Sequence, residues 1–75
     1  MKNETTILVF KTNIARKRDL KQLKPVFESR TEVLKWNVDL DDDDKVLRIE
    51  STDLAAETVE NLLLTIGFKC SELKS

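Results

Sequence analysis

Histidine and tyrosine are absent, and cysteine, glycine, proline and tryptophan occur once each in 75 residues. Each scarcity excludes something. Without histidine there is no imidazole to act as base or metal ligand. A lone Cys70 rules out an internal disulfide framework and lacks a second thiol or imidazole to activate it. One glycine cannot build a glycine-rich phosphate loop, and one glycine with one proline leaves little room for long loops or linkers. The longest apolar runs, Ile7–Phe10 and Leu62–Leu64, are too short for a membrane span or a signal-peptide core. These absences predict a non-catalytic cytoplasmic domain with no cofactor and no membrane partner.

What remains is enough for one small core. The chain is 40% hydrophobic and 36% charged, a balance of compact domains rather than disordered ones. Its net charge of −1 hides an uneven layout. Residues 1–30 carry eight Lys/Arg against three Asp/Glu, and residues 31–75 carry five against eleven. Such an imbalance steers a charged partner, or it places two oppositely charged helices side by side on one sheet.

The most readable stretch is Val33–Ser51. Leu34, Trp36, Val38 and Leu40 alternate with Lys35, Asn37 and Asp39, and Leu47 and Ile49 alternate with Arg48 and Glu50. That is the period of two half-buried strands. A reversal centred on Asp42–Asp43 pairs Leu40 with Lys45, Val38 with Leu47, Trp36 with Ile49 and Lys35 with Glu50. The apolar side chains then share one face.

Upstream, the β-branched and aromatic run Thr5–Thr12 predicts a central strand. Its four consecutive apolar residues do not show which pair turns inward; Leu8 and Phe10 are the preferred pair. A helix is expected from Ala15 or Arg16 to about Ser29, with Leu20, Leu23, Val26 and Phe27 as its buried stripe. Pro25 removes one hydrogen bond there and is expected to kink or divide it. After the hairpin, Ser51, Thr52 or Asp53 caps a second helix. Its apolar face is Ala55, Val59, Leu62, Leu63 and Ile66, and Gly67 ends it. Phe68–Leu73 is a short last strand.

Strand, helix, strand, strand, helix, strand, with one apolar stripe per helix, predicts an α+β class: a ferredoxin-like βαββαβ sandwich. Its four-stranded antiparallel sheet carries both helices on one face, and the whole chain, 1–75, forms one domain.

With this element order, the Val38-Asp39-Leu40 triplet and the terminal Gly67-Phe68 pair, the chain resembles the heavy-metal-associated domain of copper chaperones and metal-transporting ATPases. The resemblance implies a metal loop between the first strand and first helix, with thiolates at two positions of an M-x-C-x-x-C motif. Here that motif falls on Ile14–Asp19, and the thiolate positions are Arg16 and Asp19. No Cys, His or Met lies in the loop, and Arg16, Lys17 and Arg18 repel a cation. Soft-metal binding does not carry over from the family.

Other signals compete with plainer readings. Asp39–Glu50 superficially fits a calcium loop, but Asp44 stands where the sharp turn needs glycine, and the flanks alternate as strands. A solvated turn, or an incidental divalent site involving Asp41 and Asp43, fits better. Cys70 reads as a small strand hydrophobe. The basic first helix could touch nucleic acid, yet the third strand, Lys45–Ser51, has no aromatic on which a base could stack. No nucleic-acid partner is expected.

The function expected is a protein-interaction or regulatory module. The other class is a metal carrier that draws ligands from Cys70 or the Asp41–Asp44 turn. If Leu8 and Phe10 point inward, then Ile7, Val9, Val33 and Val46 point outward as a partner face, rimmed by Lys11, Lys35, Arg48 and Glu50. The partner can be an unknown protein or a second copy of the chain, stacked face to face. The metal loop's composition makes one outcome definite. The purified protein should carry no stoichiometric copper or zinc by elemental analysis, and a chelator should leave its melting temperature unchanged, because a ligand held only by the native state would raise it.

Overall fold

The computed structural model describes residues 5–73. Six elements follow in order: β1 (Thr6–Thr12), α1 (Lys17–Glu28), β2 (Val33–Asp39), β3 (Val46–Ser51), α2 (Ala56–Thr65) and β4 (Cys70–Glu72). The strands form one antiparallel sheet in the order β2-β3-β1-β4. The class is α+β.

The central strands β3 and β1 turn Leu8, Phe10, Leu47 and Ile49 to one side, where Leu23 and Phe27 of α1 and Val59 and Leu63 of α2 meet them in a single buried cluster. Leu8 and Phe10 are therefore the inward pair. Both helices cover the same sheet face, α1 over β2 and α2 over β4. Trp36 is only half-buried, and its ring lies 5.2 Å from that of Phe27 at a 49° tilt. This contact fastens α1 to the edge strand. No ion pair joins α1 to α2 among the described residues.

Three local features depart from the pattern expected of the sequence. The hairpin pairs Trp36 with Ile49, Val38 with Leu47 and Lys35 with Glu50, but a β-bulge lies between Val33 and Lys35. The extra residue reverses the alternation at that end. Val33 pairs with Ser51 and packs against the core, while Leu34 is 57% exposed. Val33 is thus not an outward residue, and Leu34 is not an inward one. At the other end the ladder stops at Asp39–Val46, and the Lys45 ammonium donates to the Leu40 carbonyl at 2.7 Å.

α1 runs continuously through Pro25 to Glu28. Pro25 sits near the C-terminal end, where losing a hydrogen bond costs little continuity.

The start of α2 also differs. Ser51 is the last residue of β3, fully buried, and Ala55 occupies the N-cap with no side-chain bond. The chain must first descend from the sheet to the helix layer, and Leu54 plugs the core on the way at 7% exposure. Ile14 does the same between β1 and α1, fully buried. α2 closes as expected. Gly67 takes φ +92°, its N–H bonds Leu64 O at 3.1 Å, and the N–H of Phe68 bonds Leu63 O at 2.9 Å. These bonds satisfy the last carbonyls with glycine in the left-handed position.

Among the described residues, two buried side-chain atoms have no hydrogen-bond partner, Arg30 Nε and the hydroxyl of Ser51, and Ser51 is the one that is fully buried. Two substitutions should therefore move stability in opposite directions. Phe27→Ala should cost about 3–5 kcal/mol, whereas Ser51→Ala should be neutral or stabilise by up to about 1 kcal/mol by removing an unpaired hydroxyl. Urea unfolding checks both, and a clear loss for Ser51→Ala would mean that the hydroxyl has a partner in solution.

Candidate functional site

The segment between β1 and α1, where the metal-loop resemblance places its thiolates, is closed by its own hydrogen bonds. One Asp19 carboxylate oxygen accepts the N–H groups of Ala15 and Arg16, both at 3.1 Å, and Arg16 O accepts the Asp19 N–H at 3.0 Å. Asp19 thus serves as the acidic half of a capping box at the start of α1. Arg16 is the N-cap, and its exposed side chain makes no capping bond. Ile14 points into the core rather than into a loop cavity. Asn13 ties this segment to the turn before β4: its N–H donates to Lys69 O at 3.2 Å, and its side-chain oxygen accepts the Lys69 N–H at 2.9 Å.

The acidic turn is likewise committed to its own backbone. Asp39 Oδ1 accepts the Asp41 N–H at 3.1 Å, and Asp42 Oδ1 accepts the Asp44 N–H at 2.8 Å. These are side-chain-to-backbone turns of the usual aspartate kind. Asp44 also lies 3.7 Å from Lys11 in an exposed ion pair. Asp41 and Asp43 stand free in solvent. Among the described residues no group of three or more Cys, Asp or Glu is gathered to hold a metal ion.

Cys70 opens β4, opposite Thr12, and packs half-buried against the core. Burial, with a smaller contribution from the Glu60 carboxylate, pushes its thiol up to about 11 from 9.0. A thiol held that far above neutral pH is a poor nucleophile and a poor soft-metal ligand.

The outer sheet face has no such internal use. Adjacent registers place Val9 beside Arg48 and Ile7 beside Glu50. Leu73 donates its N–H to Val9 O at 2.8 Å, which sets Leu73 next to Val9 on the same face. Ile7 is 56% and Leu73 40% exposed, with Val9 half-buried between them. Val46 is half-buried and lies diagonally from Val9, since Arg48 is Val9's direct partner. The structure brings together Ile7, Val9 and, more loosely, Val46. It removes Val33 to the core side and adds Leu73. Pairing the last strand with the first would have put Leu73 on this face, but a three-residue strand gives too little alternation to read.

The raised thiol couples to stability with a definite sign. Its folded value lies above the ordinary one, so its contribution is complete below about pH 9 and declines as pH rises towards about 11. The wild type should therefore lose stability between those values relative to Cys70→Ala, measured by urea midpoints across that range. Parallel curves for the two proteins would contradict the raised value. No family model matches this chain, and no curated protein or solved structure matches it, so its function is read from its own geometry.

Proposed function

We propose that this is a ferredoxin-like domain, built like a heavy-metal-associated domain without its metal loop, that works as a non-catalytic protein-interaction module through the outer face of its sheet. The strand order β2-β3-β1-β4 with both helices on one side supports the fold name. The observation that carries the function is the uncovered apolar strip Ile7–Val9–Leu73, bordered by Lys11, Arg48 and Glu50. An apolar centre within a charged rim is the usual anatomy of a protein-binding patch. Asp19, Asp39 and Asp42 accept backbone N–H groups and burial keeps the Cys70 thiol protonated at neutral pH, while Asp41 and Asp43 stay exposed at the turn.

Ile7→Lys combined with Val9→Glu, which sets unlike charges opposite Glu50 and Arg48, should leave the melting temperature within a few degrees, as surface changes normally do. It should also weaken at least tenfold the capture of whichever proteins bind the immobilised wild type. Lys21→Glu on the exposed face of α1 serves as the control and should change nothing. Partners retained equally by the double variant, or lost with the control, would count against the outer face.

A further inference from the structure

The sheet ends in two very different edges. β4 is three residues long, which alone protects it from pairing with another chain. β2, at the other edge, is seven residues long. It contains no proline and turns no charge towards the core: its inward residues are Val33, Trp36 and Val38. α1 covers its inner face, but among the described residues no further strand follows it in the sheet, and hollows border it on both sides of Asn37. Trp36, on this strand, is half-buried against the core.

We propose that β2 is a homodimerisation edge, at which two copies of the chain pair antiparallel about a two-fold axis through Asn37 and join their sheets into one of eight strands. Two independent features select this register. The first is length. The bulge ends the regular strand at Lys35 and the acidic turn ends it at Asp39, so the straight part is the seven residues of β2 less Val33 and Leu34. Its midpoint is Asn37, and only pairing about that residue uses all of it.

The second is charge. The same register sets Lys35 opposite Asp39 of the second copy, twice by symmetry, on the outer face. It sets Trp36 opposite Val38 of the second copy on the helix side. Directly opposed unlike charges and an aromatic–β-branched pair are both favourable across strands. Shifting two residues one way leaves Lys35 opposite asparagine; shifting the other way sets it against Asp41, outside the strand. Residues an even number apart along a strand direct their N–H and C=O groups the same way, so this symmetric register brings edge-facing donors to edge-facing acceptors.

An interface this short falls at the small end of specific contacts, so the dimer is weak and reversible, and it weakens with salt as exposed ion pairs do. The proposal does not rest on the outer-face reading, because the edge and the face are separate surfaces.

Charge reversal gives the decisive experiment, read by sedimentation equilibrium at low ionic strength. Lys35→Glu should sediment as a monomer, since the new carboxylate would oppose that of Asp39 in the second copy. Asp39→Lys should do the same, since two lysines would oppose each other. Mixed in equal amounts the two should form a one-to-one dimer, because each repulsion becomes an attraction. A wild type that stays monomeric at 1 mM overturns the proposal, as do single variants that dimerise like the wild type or a mixture that stays monomeric. Should either variant melt early, amide exchange of the wild type decides instead. Protection that rises with concentration at alternate residues of Lys35–Asp39 supports the edge; protection confined to Ile7, Val9 and Val46, or none, overturns it.

Discussion

A chain of this size has apolar material for one side of one sheet, and the rest of the architecture follows from that limit. Among the described residues the buried apolar core comes from four strand positions on β1 and β3, two positions on each helix and two loop plugs. Covering the second sheet face would need another layer of helices, and so many more residues. Both helices must therefore share one side, and the other side must meet solvent or a partner. The open face is a consequence of the economy of the core before it is a feature of function.

The same economy shows in how the polar groups are used. With 36% of its residues charged, the chain spends carboxylates on backbone problems that glycine or serine usually solve. Asp19 accepts the N–H groups of Ala15 and Arg16 just ahead of α1, and Asp39 and Asp42 close the turn between β2 and β3. Asp41 and Asp43 of the same turn stay exposed, and among the described residues no three carboxylates are gathered about one point.

Much of this fold was legible because its strongest elements have a period. Trp36, Val38, Leu47 and Ile49 alternate, and Leu20, Leu23 and Phe27 recur at helical steps, so strand register and helix face could be read directly. What escaped has no period. Ile14 and Leu54 are single plugs in loops, and no pattern distinguishes a loop residue that turns inward. The bulge at Leu34 escaped for the opposite reason: alternation continues through Leu34 in the sequence, and only the pairing of Val33 with Ser51 reveals that one residue is extra. The candidate face was legible in its two central members and wrong at its margin, where the bulge took Val33 away and the brevity of β4 concealed Leu73.

β1 and β4 are antiparallel neighbours, and Leu73 bonds to the carbonyl of Val9, three residues along from Thr6 where β1 begins. The first and last described residues therefore lie towards the same end of the sheet. Such a unit can be carried in the surface loop of a larger protein without prising the flanking chain apart, or be cut open at another loop and rejoined there by a short link.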